Sequence, residues 1–131
     1  MRAGVLRMSL LWAICGCGRG VGKTHLAQAL ARVLPGAVYA KCGRGRTKAG
    51  KCANFFTNQR DLAAFIKQQA QRRHVVVESG AVVRRGGADI SIYIDAAPPK
   101  TRARKDAARL RAASDIIIGP GASPSQWRQV L

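Results

Sequence analysis

A stretch near the beginning of the chain has the residue types of a phosphate-binding loop. Residues 17–24 are Cys-Gly-Arg-Gly-Val-Gly-Lys-Thr, and they follow an apolar run and precede a helical pattern that begins at His25. Glycines let backbone N–H groups turn toward an anion, a lysine reaches the β and γ phosphates, a hydroxyl binds Mg²⁺, and a helix N-terminus favours negative charge. The spacing follows the Walker A pattern and predicts that this loop binds a nucleotide together with Mg²⁺.

The loop departs from the pattern at one position. The residues expected to contact the phosphates are Gly18, Arg19, Gly20, Val21, Gly22, Lys23 and Thr24. Thr24 is also an expected Mg²⁺ ligand. Walker A has glycine where Cys17 stands, and the flanking Gly16 and Gly18 are expected to relieve the turn. The alternative interpretation is a glycine-rich turn that contains Gly-Lys-Thr without binding phosphate.

Acidic residues are scarce, with 6 Asp and Glu against 23 Lys and Arg. Glu78 and Asp95 each end an apolar, strand-like run, and ligands of open α/β sheets lie at the carboxyl ends of strands. Glu78 is the stronger candidate for the Walker B acid, which holds Mg²⁺ or its water, or polarises an attacking water. Asp95 competes with it for the metal and for a catalytic role. The alternative for Glu78 is a structural ion pair with an arginine.

Strand-like and helix-like segments alternate along the chain. Strands are predicted at residues 10–15, 37–41, 74–78, 90–94 and 115–118, the last of them buried, and helices at 25–34 and from Asn58, Thr101 and Ser123. This alternation predicts an α/β fold, namely a three-layer P-loop NTPase domain with a mostly parallel sheet of about five strands. The connection before residues 90–94 is short, which leaves open whether that strand is antiparallel. A length of 131 residues fits one domain, residues 1–131.

Two predictions concern charged residues outside the loop. Asn58 is the expected cap of the second helix and Asp61 the expected first-turn charge, which gives Asp61 a structural role. Three basic segments either contact an anion or face solvent. They are the irregular stretch 42–57, a loop at 81–88 on the ligand-facing edge with Arg84 and Arg85, and the outer face of the helix after Thr101 with Arg102, Arg104, Lys105, Arg109 and Arg111. A solvated face is the expected state of the third segment.

The protein is expected to be cytoplasmic. The 4 cysteines are expected to be free thiols, and metal binding by Cys42 and Cys52 is the minor alternative because they lack zinc-site spacing. No apolar run approaches the roughly 18 residues of a transmembrane helix, so no membrane partner is expected. The first residues imitate a secretory signal, but they run directly into the loop and are interpreted as the first strand.

The order of these motifs resembles the P-loop family of molybdopterin-guanine dinucleotide biosynthesis protein B, MobB. The resemblance rests on the loop at 18–24, on Ala40-Lys41, on residues 74–80 and on residues 89–95. It implies a domain that binds GTP and Mg²⁺, hydrolyses the nucleotide slowly at best, and assists attachment of a guanosine nucleotide to molybdopterin. By this resemblance Lys23 and Thr24 take the phosphates and Mg²⁺, and Glu78 is the acid on the metal side.

Three functions remain as hypotheses. The first is a GTP-binding or ATP-binding accessory protein of molybdenum cofactor biosynthesis, whose basic loops receive a phosphorylated pterin or a cofactor-assembly protein. The second is a small P-loop kinase or ligase with Glu78 or Asp95 as base. The third is a nucleic-acid-binding protein with a vestigial loop, which the net charge of +17 favours and the 5% aromatic content disfavours. The nucleobase and the oligomeric state, a homodimer included, stay open.

Overall fold

The computed structural model describes residues 9–18, 21–43, 54–95 and 104–119. The strands are β1 (Leu11–Gly16), β2 (Val38–Cys42), β3 (Phe55–Phe56), β4 (Val75–Glu78), β5 (Ile90–Ile94) and β6 (Ile116–Ile118). The helices are α1 (Lys23–Val33), α2 (Gln59–Gln69), α3 (Gly80–Arg84) and α4 (Ala107–Ala113). None of the helices in this part of the chain is long and apolar enough to cross a membrane. The predicted cap Thr101, the predicted helix from Ser123 and most of the basic stretch 42–57 lie outside the described residues.

The strands form one sheet in the order β3-β2-β4-β1-β5-β6, and all neighbours are parallel. This confirms the predicted α/β fold. The strand at residues 90–94, whose direction the sequence left open, is parallel to β1, and the short helix α3 lies in the connection that leads to it. The sheet has one strand more than the prediction, because Phe55 and Phe56 form the short strand β3 beside β2.

Helices cover both faces of the sheet and make three layers. On one face, the buried residues of α1 pack against β1, β4 and β5; they are Leu26, Ala27 and Leu30. On the other face, α2, α3 and α4 bury Leu62, Val82, Val83 and Leu110. The strand β4 is buried along its whole length, as its continuous apolar run predicts for a strand that helices cover on both sides.

Two local predictions were wrong. Residues 81–88 were predicted as a basic loop, but Gly80–Arg84 form α3. The cause is a helix cap, because Ser79 Oγ accepts a hydrogen bond of 3.3 Å from Val82 N while the apolar side chains of α3 join the core. The last strand was predicted to be buried, but β6 is an edge strand, and Ile117 is 42% exposed.

The cap of α2 is confirmed. Asn58 Oδ1 accepts a hydrogen bond of 2.8 Å from Asp61 N, and Asn58 Nδ2 donates one of 2.9 Å to Asp61 Oδ2. These two bonds join the cap to the first helical turn, where a negative charge is also favourable. Asp61 therefore stabilises a helix end.

Candidate functional site

The carboxyl ends of β1 and β4 lie side by side within the sheet. The helix after β1 packs on one face of the sheet, whereas the helix after β4 packs on the opposite face. Neighbouring strands whose connections leave on opposite faces open a crevice, and ligands of open α/β sheets bind in such crevices. The predicted residues Lys23, Thr24 and Glu78 lie at this crevice, which we call the β1–β4 crevice.

Two glycines position the segment between β1 and α1. Gly22 has a φ of 99°, a left-handed conformation that favours glycine. At Gly16 an added Cβ would lie 2.8 Å from Val21 Cγ2 and 3.3 Å from Lys23 Cδ, so the segment folds tightly back over the end of β1. Gly22 provides no side-chain cap and the first turn of α1 contains no acidic residue. The N-terminus of a helix of this kind favours an anion.

The two expected Mg²⁺ ligands are in direct contact. Thr24 Oγ1 donates a hydrogen bond of 2.7 Å to Glu78 Oε1, and Tyr39 Oη donates one of 2.8 Å to the same oxygen. Glu78 is only 7% exposed, so its carboxylate is held within the protein by a helix and by a neighbouring strand. Since 54 residues separate Thr24 from Glu78, the fold and not a local motif brings the two oxygens together.

The side chain of Lys23 lies half-buried beside this contact. Burial is the main reason that the pKa of Lys23 lies below its ordinary value of 10.5; Glu78 raises this pKa, and the positive charges of Arg104 and Lys41 lower it further. Among the residues that the structure describes, the Lys23 ammonium has no hydrogen-bond or ion-pair partner. Because an unpaired ammonium is costly to bury, an anion bound here would stabilise it.

Two further cations lie at the same crevice. Lys41 Nζ is 3.5 Å from Glu78 Oε2 and 3.5 Å from Thr24 Oγ1. Arg104 N donates a hydrogen bond of 2.7 Å to Cys17 O, and its guanidinium lies over Gly80, where an added Cβ would be 2.9 Å from Arg104 Nη1. Lys23, Lys41 and Arg104 outnumber the two carboxylates near them, Glu78 and the Asp106 carboxylate that pairs with Arg104, and the excess positive charge favours an anion.

The position of Arg104 corrects the sequence prediction. Arg104 was assigned to the outer, solvated face of a helix, but α4 begins only at Ala107. Asp106 instead fixes the guanidinium, because its carboxylate accepts hydrogen bonds from Arg104 Nε at 2.8 Å and from Arg104 Nη2 at 3.1 Å. Asp106 also pairs with Arg84, so this arginine of the predicted ligand-facing loop is already neutralised within the protein.

The oxygens of Thr24 and Glu78 suit Mg²⁺. This ion prefers hard oxygen ligands and is usually held by one or two protein groups together with waters and phosphate oxygens. In the described ranges, no three His, Cys, Asp or Glu side chains form a group that could hold a metal ion. A hydroxyl and a carboxylate in contact would fit a Mg²⁺ ion that takes its remaining ligands from outside the protein.

The other acids lie away from Thr24. Asp95, the predicted competitor of Glu78, follows β5, and its Oδ2 is 3.5 Å from Arg111 Nε. Asp89 and Asp115 lie at the opposite edge of the sheet, where strands begin, and accept hydrogen bonds from backbone N–H groups. Of the described acidic residues, Glu78 is the one that the structure brings to Thr24.

Part of the predicted loop lies outside the described residues, namely Arg19 and Gly20. Gly18 is buried after the end of β1, and Val21 packs against the core. Cys17, the residue that replaces the Walker A glycine, is buried, and its N donates a hydrogen bond of 3.2 Å to Ile94 O. Cys17 therefore extends the pairing of β1 with β5.

The described cysteines form no disulfide, as predicted; they are Cys15, Cys17 and Cys42. Burial raises the pKa of Cys15, which is 1% exposed and packs in the core. Burial also raises the pKa of Cys42, whose Sγ lies 3.2 Å from Gln59 Nε2. A raised pKa leaves less reactive thiolate at neutral pH. Cys52, the proposed partner of Cys42 in metal binding, lies outside the described residues.

Sequence reasoning assigned no site role to Tyr39 or Lys41, and it gave Arg104 an anion contact only as the alternative to a solvated face. Tyr39 and Lys41 are two residues apart in β2 and so point to one side, and Lys41 is in register with Glu78. That alternation, combined with the pairing of β2 and β4, is the signal that could have placed both beside Glu78. Arg104 has no such signal, because tertiary contacts with Cys17 and Gly80 determine its position.

Comparison of the chain with protein-family models found no matching family, and comparisons with curated proteins and with solved structures also found no match. The resemblance to MobB therefore stays a hypothesis that rests on the sequence motifs. What the structure establishes is the α/β fold and the arrangement of side chains at the β1–β4 crevice.

Proposed function

We propose that this chain binds GTP or ATP, with Mg²⁺, at the β1–β4 crevice. The observation that carries the proposal is the contact of Thr24 with Glu78 beside Lys23, whose ammonium has no partner among the described residues. Two hard oxygen ligands and a half-buried ammonium are complementary to the two parts of a magnesium–nucleotide complex. A lysine with only a structural role would be expected to pair with an acid of its own chain.

The proposal gives each side chain a physical role. The N–H groups at the start of α1 and the Lys23 ammonium bind phosphate oxygens. Thr24 and Glu78 would hold Mg²⁺. Bound Mg²⁺ would supply charge neutralisation at the phosphates. Because Thr24 and Tyr39 both donate to Glu78, this carboxylate is fixed as a ligand and is poorly disposed to activate water. We therefore expect slow hydrolysis at most.

We further propose that nucleotide binding serves molybdenum cofactor biosynthesis in the cytoplasm, as the resemblance to MobB implies. The net charge of +17 suits a phosphorylated pterin or an acidic assembly partner. A kinase or ligase would need a base near the phosphates, and Asp95, the second candidate for that role, is instead beside Arg111. This contact favours binding over group transfer.

Calorimetric titration of GTP and ATP in the presence of Mg²⁺ tests nucleotide binding. We expect saturable binding by the wild type and at least about tenfold weaker binding by Lys23→Ala, because a hydrogen bond to a charged group contributes roughly 1.5–3 kcal/mol and about 1.4 kcal/mol is tenfold. Lys67→Ala is the matched control, since it removes one exposed positive charge on α2 and should leave affinity unchanged. Equal affinities of wild type and Lys23→Ala would overturn the proposal.

Other measurements separate the functions. Native mass spectrometry of the purified protein would reveal a co-purifying nucleotide or pterin together with the number of subunits, and a pterin would support the role in cofactor assembly. Rapid nucleotide consumption that requires one particular small molecule would instead identify a kinase or ligase. Affinity for DNA or RNA that falls steeply with salt and ignores added nucleotide would favour nucleic-acid binding.

A further inference from the structure

The side chain of Lys41 contacts both side chains that are expected to bind Mg²⁺. Its Nζ lies 3.5 Å from Glu78 Oε2 and 3.5 Å from Thr24 Oγ1. These two side chains are themselves joined by a hydrogen bond of 2.7 Å. The ammonium of Lys41 therefore bridges a hydroxyl and a carboxylate in the way that a bound cation would.

The fold fixes this arrangement. Lys41 and Glu78 are paired residues of the parallel strands β2 and β4, so their positions at the sheet edge are set by backbone hydrogen bonds. Tyr39, two residues earlier and on the same side of β2, donates a hydrogen bond to the same carboxylate. Two residues of one strand thus approach Glu78, and the positive charge of Lys41 offsets the negative charge of the buried acid.

A Mg²⁺ ion and the Lys41 ammonium compete for these oxygens. Mg²⁺ binds oxygen at about 2.0–2.1 Å. Thr24 and Tyr39 already donate to Oε1 of Glu78, so the oxygens left for the ion are Glu78 Oε2 and Thr24 Oγ1, which Lys41 contacts. Two cations in contact with one carboxylate also repel each other strongly where water is excluded. Binding of Mg²⁺ therefore requires that the ammonium move, whereas without Mg²⁺ the ammonium remains next to Thr24 and the start of α1.

We propose that Lys41 acts as a built-in competitor of Mg²⁺, which permits polyphosphate binding without the metal and limits how much the metal strengthens it. The inference rests on the proposed nucleotide site and deepens it, because it names the residue that sets the cation requirement of that site. Removal of the Lys41 charge converts the site into one that depends strongly on Mg²⁺.

Calorimetric titration of pyrophosphate, with Mg²⁺ or with EDTA, tests the inference in wild type, Lys41→Met and the control Lys67→Met. Lys41→Met weakens binding about tenfold or more in EDTA, the size of one charge-assisted interaction, and Mg²⁺ restores affinity to near the wild-type value. Lys41→Arg keeps the charge and retains pyrophosphate binding in EDTA. Lys67→Met leaves the affinity unchanged both in EDTA and with Mg²⁺. The inference is overturned if Lys41→Met weakens pyrophosphate binding equally in EDTA and with Mg²⁺, or weakens it under neither condition.

A second measurement uses a metal alone and so does not depend on phosphate binding. Mn²⁺ takes the same hard oxygen ligands as Mg²⁺, and its electron paramagnetic resonance signal distinguishes free from bound ion. Lys41→Met binds Mn²⁺ at least several-fold more tightly than the wild type, and Glu78→Gln loses this binding; no tightening in Lys41→Met overturns the inference. If pyrophosphate binds wild type and Lys23→Ala equally, the proposed nucleotide site fails, and the Mn²⁺ result still decides the role of Lys41. Circular dichroism verifies that each variant is folded.

Discussion

The two edges of the sheet that are formed by the beginnings and by the ends of its parallel strands use polar side chains differently. At the edge where strands begin, Asp89 Oδ2 accepts a hydrogen bond of 2.7 Å from Leu11 N, and Leu11 O accepts one of 2.8 Å from Asp89 N. Asp115 and Ser91 repeat this reciprocal arrangement in the next pair of strands, at 2.8 and 2.9 Å. Each of these acids joins the backbone of an adjacent strand and helps fix the alignment of the sheet.

At the edge where strands end, side chains face other side chains. Glu78 accepts hydrogen bonds from Thr24 and Tyr39 and contacts Lys41, whereas Lys23 has no partner among the described residues. Backbone N–H groups satisfy the carboxylates at the first edge, whereas positive charge is in excess at the second. The comparison teaches that the acids at the first edge stabilise the fold through backbone hydrogen bonds, whereas the cluster of charged side chains at the second edge supports the proposed anion site.

The largest expected contrast comes from removing one acid at each edge. Asp89→Ala should lower the free energy of unfolding by about 1–3 kcal/mol, because the N–H of Leu11 loses its acceptor, and should leave nucleotide affinity unchanged. Glu78→Gln should abolish the effect of Mg²⁺ on nucleotide affinity with a smaller loss of stability, because the amide oxygen still accepts hydrogen bonds. Chemical denaturation and calorimetry measure both quantities. If both variants lost stability and affinity together, the contrast between the edges would be wrong.

A comparable effect is expected from crowding at Gly16. In Gly16→Ala the added methyl group would meet Val21 and the stem of Lys23, and overpacking of this kind costs roughly 1–3 kcal/mol. Displacement of Lys23 should weaken pyrophosphate binding by up to about tenfold. Gly87→Ala is the control, because its Cβ would be 3.9 Å from the nearest atoms of Val82, an ordinary contact. Unchanged affinity in Gly16→Ala would show that the close approach at Gly16 has no bearing on the site.

A smaller effect is expected at Gly80, where the added Cβ would push aside the guanidinium of Arg104. Gly80→Ala should weaken pyrophosphate binding a few-fold without destabilising α3, because alanine is the better helix former. Arg104→Ala should also weaken binding, and adding Gly80→Ala to Arg104→Ala should weaken it no further. Additive effects in this double-mutant cycle would mean that Gly80 does not act through Arg104.

The smallest expected effect concerns the pH dependence of Lys23. Burial lowers the pKa of Lys23 in the folded protein, so the folded state releases the lysine proton at a lower pH than the unfolded state does. The free energy of unfolding therefore rises with pH between the folded-state pKa of Lys23 and its ordinary value of 10.5. Bound pyrophosphate favours the ammonium instead and should raise the pKa of Lys23, which NMR of the lysine side chain can follow. Pyrophosphate affinity should therefore fall with rising pH below 10.5, and Lys23→Arg should flatten that profile. If wild type and Lys23→Arg had the same pH profile, Lys23 would not cause the pH dependence of pyrophosphate binding.

Sequence predicted those parts of the fold that local patterns determine. Buried parallel strands such as β4 are continuous apolar runs, and the cap of α2 is a local pairing of Asn58 with Asp61. The helix α3 was missed because its five residues are too few to show a helical period among glycines and arginines. At the site, spacing indicated Lys23 and Thr24, whereas the role of Arg104 depends on contacts between distant segments.

The most direct test of the central claim is an NMR titration of the ¹⁵N-labelled protein with pyrophosphate, because it shows which edge of the sheet binds the anion. We predict saturable shifts of the amide signals of Gly16, Gly22, Lys23 and Thr24 at the β1–β4 crevice, and none at Leu11 or Ser91 at the opposite edge. Shifts that fail to saturate and spread over the exposed arginines, or that occur at Leu11 and Ser91, would contradict the account.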